Sequence, residues 1–140
     1  MALVLDTSAL LAGLDREDPE HGPCGALLEA SSERLVVPTP VLTELDHLLG
    51  KRGKTDLWMA FAADVGAGAY LLHPTGTDVV AAAADLQARY RDLGIGFVDA
   101  AVFLTCVELG EDKVATLDHR HFSALRTEDG RALRIVPELG

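Results

Sequence analysis

The sequence predicts a three-layer α/β/α sandwich around a central parallel sheet of about five strands. Three observations lead there. Short apolar runs alternate with helical segments along the chain, the pattern of repeated βαβ units. The runs are apolar at consecutive positions, as strands buried on both faces require. No linker, internal repeat or low-complexity tract interrupts the 140 residues, so one domain over 1–140 with a sizeable core is expected.

Residues 2–5 read as the first strand, followed by short helices over 8–14 and 19–31. Leu35-Val36-Val37 is the second strand, stopped by Pro38. Thr39 is a natural N-cap, with Pro40 at the first helical position, where its missing N–H leaves nothing unpaired. That helix runs to about Gly50; another covers 56–65, and 69–73 is the third strand. The clearest helix is 77–93, where Val79, Ala83, Leu86, Tyr90 and Leu93 recur at steps of four and three. Gly94 and Gly96 break it. An apolar helix over 98–109, a strand over 113–117 and a fifth over 133–136 complete the series.

Composition narrows the function classes. Only 5% of residues are aromatic and alanine is abundant, so an aliphatic, helix-rich core is expected. No signal peptide is recognisable and no apolar run approaches the length of a membrane span. Cys24 and Cys106 form no CxxC motif, so a cytoplasmic protein with reduced thiols is expected. The net charge of −10 does not favour steering towards a polyanion. Either the partner is not nucleic acid, or the acidity is local and the binding surface is basic.

The acids are arranged by the fold. "LVLD" ends on Asp6 and "VATLD" ends on Asp118. In a parallel sheet both carboxylates emerge at the carboxyl edge, where open α/β folds bind ligands. The helix opened by Thr39 starts from the same edge and carries Glu44, at one margin of the apolar face formed by Val41, Leu42, Leu45, Leu48 and Leu49. Asp99, in "GIGFVDAAV", falls in the first turn of the apolar helix, where a lone charge needs a partner. Each acid also has an ordinary reading. Asp6 and Asp118 would serve as caps, Asp99 would favour a helix dipole, and Glu44 would stand half exposed. Gathered on one rim, however, the four repel unless cations join them or some are protonated. Oxygen-rich clusters of this kind suit Mg²⁺ or Mn²⁺. Thr7, Ser8 and Thr116 place hydroxyls beside Asp6 and Asp118, able to orient a carboxylate or do ordinary turn work.

Four stretches together resemble the PIN domain, and in particular the VapC-type toxins of bacterial toxin–antitoxin pairs. They are "VLDTSAL", the glutamate of "PTPVLTELDHLL", "FVDAAV" and "VATLDHRHF", in order over essentially the whole chain. The resemblance implies a metal-dependent endoribonuclease whose acids map onto Asp6, Glu44, Asp99 and Asp118. Asp46 is a possible auxiliary acid, but it lies beyond the opposite edge of the apolar face from Glu44. The resemblance further implies a homodimer, neutralised by a small antitoxin protein.

The implied chemistry is hydrolysis of an RNA phosphodiester by a metal-activated water, leaving 5′-phosphate and 3′-hydroxyl ends. Lys51, Arg52 and Lys54 in "GKRGK", and Arg120 in "DHRH", are the candidates for phosphate contacts. They are equally ordinary as a solvated helix end. The acidic runs "DREDPE" and "GED" read as solvated surface. Two alternatives remain. A PIN-like module could bind RNA or protein without cutting. A phosphatase of the haloacid-dehalogenase type also begins with a strand ending in Asp, but it needs a second acid two positions on, where Ser8 stands.

Overall fold

Parallel strands cannot be joined by a tight turn, so each step between them needs a crossover. The chain meets that demand with helices. The computed structural model describes residues 1–138, so the last two residues of the expected 1–140 domain lie outside the description. β1 (Ala2–Val4) leads through α1 (Thr7–Leu14) and α2 (His21–Ala30) to β2 (Arg34–Pro38). α3 (Thr39–Lys51) and α4 (Thr55–Gly66) lead on to β3 (Leu71–His73). α5 (Thr77–Arg89), a 3₁₀ turn (Arg91–Leu93) and α6 (Phe97–Leu109) precede β4 (Lys113–Ala115). The one-turn α7 (His119–Phe122) comes before β5 (Arg134–Val136).

All strand pairings are parallel. Leu3 faces Leu35, Val37 faces Leu72 and Val114 faces Ile135. The sheet is a three-stranded ladder, β1-β2-β3, and a two-stranded one, β4-β5, rather than one uninterrupted ladder. A single parallel bridge, Leu5 to Ala115, joins them. That junction sets up the site. It puts the carboxyl ends of β1 and β4 side by side, and Asp6 N–H donates to Ala115 O at 2.9 Å.

The core is mainly aliphatic, as composition implies, with Phe61, Phe103 and Phe122 also buried. Val4, Leu5, Val36, Val37 and Val114 of the strands are fully enclosed, with Leu10 of α1 and Val41, Leu45 and Leu49 of α3. α6 packs against β1, β2 and β4, and six of its residues are buried. A helix enclosed on most sides loses its polar face, and only Asp99 among its buried or half-buried residues is charged. Cys24 and Cys106 are free and buried. Among the described residues no helix is long and apolar enough to cross a membrane.

Several expected boundaries shift for local reasons. Thr39 does not cap α3. Pro38, the last strand residue, occupies the cap position, and Thr39 Oγ1 instead accepts from Thr75 N at 3.2 Å. The long helix expected over 77–93 unwinds after Arg89 into the 3₁₀ turn, closed by Gly94 in the left-handed region at φ +71°. Short turns bonded through Asp15 and Asp18 delay α2 to His21.

Candidate metal centre

Asp6 follows Leu5, the bridge residue after β1, and sits at the N-cap position of α1, yet its side chain makes no capping hydrogen bond. Its partners are hydroxyls. Thr116 Oγ1 donates to Asp6 Oδ2 at 2.7 Å, and Ser8 Oγ lies 3.3 Å from the same oxygen. The two hydroxyls are 3.2 Å apart. They also accept from the other strand's exit: Leu117 N donates to Ser8 Oγ at 2.9 Å, and Asp118 N to Thr116 Oγ1 at 3.0 Å. Thus Ser8 and Thr116 lace the loop carrying Asp6 to the loop carrying Asp118. Asp6 is only 4% exposed. Burial pushes its carboxyl up to about 6; the Thr116 hydrogen bond opposes this, and the charge of Asp99 adds to it.

Asp118 does act as a cap. Its Oδ1 accepts from His121 N at 3.0 Å at the start of α7. Its other oxygen, Oδ2, lies 2.9 Å from His121 Nδ1. The first turn of α6 aims Asp99 at the same nitrogen, with Oδ2 also 2.9 Å away. Asp99, Asp118 and His121 each present a donor atom, all within 4.8 Å of one another. His121 is the residue that sequence reasoning missed. Its i+3 spacing from Asp118 on a helix was the available signal.

Glu44 joins from α3. It is exposed rather than half-buried at the margin of the apolar face. Thr7 Oγ1 donates to its Oε1 at 2.6 Å, so the residue after Asp6 ties Glu44 to the same loop. Asp46 is exposed.

The basic residues divide. Arg52 Nη1 donates to Asp15 Oδ2 at 2.8 Å and to Asp18 Oδ2 at 3.0 Å. Lys54 bonds Asp15 and lies 3.0 Å from Glu17. The "DREDPE" run is therefore not simply solvated: its first acid is 2% exposed and holds the end of α3 against the end of α1. The sequence treats these charges as independent because their partnership exists only after α1 and α3 pack. Lys51 and Arg120 are exposed.

Asp15 and Asp6 are both buried acids, but their environments are opposite. The Lys54 and Arg52 hydrogen bonds hold Asp15 down to about 2. Among the described residues, no lysine or arginine is ion-paired with Asp6, Glu44, Asp99 or Asp118. Carboxylates gathered with one imidazole and no lysine or arginine, one of them enclosed, fit a divalent cation: the donor set is oxygen-rich and negative.

Asp99 and Asp118 thus meet at His121, while Asp6 is joined to the Asp118 loop through Ser8 and Thr116 and Glu44 to that of Asp6 through Thr7; an acidic carboxyl edge of this kind on a parallel sheet defines a class of protein. The PIN-domain family model matches residues 3–127, and the chain belongs to that family. Its relatives are VapC-type members. The chain is 35% identical over 135 residues to Ribonuclease VapC26 of Mycobacterium tuberculosis, covering 96% of this chain and 100% of that protein. Among solved structures, the fold matches M. tuberculosis VapC20, a sarcin–ricin loop cleaving toxin. The TM-score is 0.80 at 24% identity, over 87% of this chain and 93% of that one. It also matches VapBC2 of Rickettsia felis bound to a promoter DNA fragment, with a TM-score of 0.65 at 14% identity over 96% and 97% of the two chains. A toxin–antitoxin complex from Klebsiella pneumoniae gives 0.63 at 14% identity over 88% and 92%.

Proposed function

We propose that this PIN-domain protein is a metal-dependent endoribonuclease, the toxin of a toxin–antitoxin pair. The observation that supports it most is the Asp99–Asp118–His121 cluster, laced to the buried Asp6 through Ser8 and Thr116 and without a lysine or arginine partner among the described residues, in a chain 35% identical to a protein named as a ribonuclease. Asp6, Asp99 and Asp118 would hold the cation, with Glu44 completing the set. A bound Mg²⁺ or Mn²⁺ supplies Lewis acidity, which favours ionisation of water and offsets charge on the phosphate.

The chain's own groups do the rest. Ser8 and Thr116 fix Asp6 and its spacing to Asp118. Thr7 fixes Glu44 through Oε1, which leaves Oε2 as a group to orient water or accept its proton. Lys51 and Arg120, exposed and without an acidic partner among the described residues, contact phosphates flanking the scissile bond. Water as nucleophile leaves the ribose 2′-hydroxyl unused, so the products carry 5′-phosphate and 3′-hydroxyl ends. The protein acts as one domain in the cytoplasm, as a homodimer held inactive by an antitoxin protein.

The test is cleavage of a broad RNA panel with Mn²⁺ or Mg²⁺, with and without EDTA, comparing wild type with a folded Asp99→Asn variant. Cleavage that needs metal and Asp99, with 5′-phosphate products, is expected. A 2′,3′-cyclic phosphate end overturns the hydrolytic route. A folded wild type that binds RNA and never cuts would make the protein a binding module.

A further inference from the structure

We propose that His121 is itself a metal ligand through Nδ1, which gives the Asp99–Asp118 corner a mixed nitrogen and oxygen donor set selecting Mn²⁺ over Mg²⁺. This rests on the metal-dependent reading above and adds a ligand to it. The geometry begins with an excess of acceptors. His121 Nδ1 lies 2.9 Å from Asp99 Oδ2 and 2.9 Å from Asp118 Oδ2. One ring nitrogen carries at most one proton. The Asp99 contact is a hydrogen bond. Asp118 already receives the backbone N–H of His121 on its other oxygen, and its Oδ2 competes with Asp99 for the same nitrogen. Two carboxylate oxygens and an imidazole nitrogen thus converge on one point, and no lysine or arginine among the described residues pairs with either acid.

The spacing is that of neighbouring donors on one ion. Bonds of about 2.1 Å at right angles put adjacent donors about 3.0 Å apart. The two nitrogen–oxygen separations of 2.9 Å match that spacing, and all three donor atoms lie within 4.8 Å of one another. The approach is also fixed. The ring is held on α7 by the Asp118 cap, and its side chain is 17% exposed. Donor type then decides the ion. Mg²⁺ favours oxygen ligands and keeps its water, whereas imidazole suits first-row transition ions.

The decisive experiment uses Mn²⁺ as probe on the EDTA-stripped, full-length protein. Pulsed electron paramagnetic resonance of the Mn²⁺-loaded wild type is expected to show nitrogen modulation from a bound imidazole. That modulation should survive His119→Gln and vanish in His121→Gln. By calorimetry, His121→Gln should weaken Mn²⁺ binding by at least the roughly 10–100-fold that loss of a ligand's outer partner produces, and leave Mg²⁺ binding within about threefold. Bound Mn²⁺ without nitrogen modulation in wild type overturns the inference and leaves the metal reading standing. So does an equal loss of both ions in the variant, the result expected of a residue that only positions its neighbours. Absence of any Mn²⁺ binding by wild type removes the metal reading and this inference with it. The wild-type spectrum needs no variant to fold.

Discussion

Replacing Asp6 by asparagine should stabilise the metal-free protein at neutral pH, and the gain should disappear in acid. The unfolded chain ionises this carboxyl near 3.8, the folded chain near 6. Between those values the folded state holds a proton that the unfolded state has lost. Wild-type stability therefore falls as pH rises through this window and levels above it. The rise from 3.8 to about 6, at about 1.4 kcal/mol for each pH unit, amounts to about 3 kcal/mol. That figure is already net of the Thr116 hydrogen bond, which favours the ionised form, and asparagine keeps an oxygen to accept from Thr116. The expected gain is therefore about 3 kcal/mol, or a rise in Tm of roughly 10 °C for a domain of this size. The assay is thermal unfolding in EDTA from pH 4.5 to 8, with Mn²⁺ added in a parallel series. Metal should reverse the order, because an ion at about 1,000 times its Kd stabilises wild type by about 4.1 kcal/mol. A variant that melts below wild type in EDTA at pH 7.5, or a gap that ignores pH, refutes the reasoning and returns Asp6 to a structural role.

Arg52→Ala leaves the enclosed Asp15 with Lys54 alone; unfolding free energy should fall by about 1–3 kcal/mol, while RNA cleavage stays within about twofold. The same pair gives an acid signature. Asp15, held near 2 in the fold, contributes stability that is present above about 4 and lost as pH falls towards 2, which denaturant titrations at low pH will read. Lys51→Glu combined with Arg120→Glu should raise KM for RNA and flatten its salt dependence with little change in Tm; unchanged kinetics would move the RNA path elsewhere. Thr116→Val removes the donor to Asp6 and the acceptor for Asp118 N together. It should cut kcat about 10–100-fold, with a loss in metal affinity measured by calorimetry.

The edge on which the two aspartates emerge was legible because a parallel sheet fixes where its carboxyl ends point, although β4 stops at Ala115 rather than 117 and Asp118 lies three residues beyond it, capping α7. Asp6 and Asp118 need only the apolar runs before them to be placed on one edge, and Asp99 only the start of an apolar helix. Harder to read were contacts made by tertiary packing. His121 is one turn from Asp118 in sequence, but its meeting with Asp99 depends on how α6 lies against β4. Arg52 and Lys54 looked free because their partners, Asp15, Glu17 and Asp18, reach them only when α1 and α3 pack. Glu44 follows the helical wheel to its margin, yet the wheel does not say how far solvent reaches at that end of α3, and the residue is exposed. Thr39 failed as a cap because the strand runs one residue further, through Pro38, and the proline's extended backbone already starts the helix.

The two enclosed aspartates show how a net charge of −10 is reconciled with an RNA substrate. At Asp15 the fold provides two basic side chains, and the carboxylate is held ionised and inert. At Asp6 it provides only hydroxyls, which orient the carboxylate without neutralising it, and the carboxyl rises to about 6. Lys113 and Arg131 are likewise committed, to Glu33 and Asp129. Structural acids thus receive lysine or arginine, while the rim acids receive hydroxyl groups and one imidazole. Under the proposed function a divalent ion would relieve the repulsion that such a rim carries in its absence. The same ion would reverse the local sign seen by a phosphate, so that negative charge at this edge would favour RNA only with metal bound.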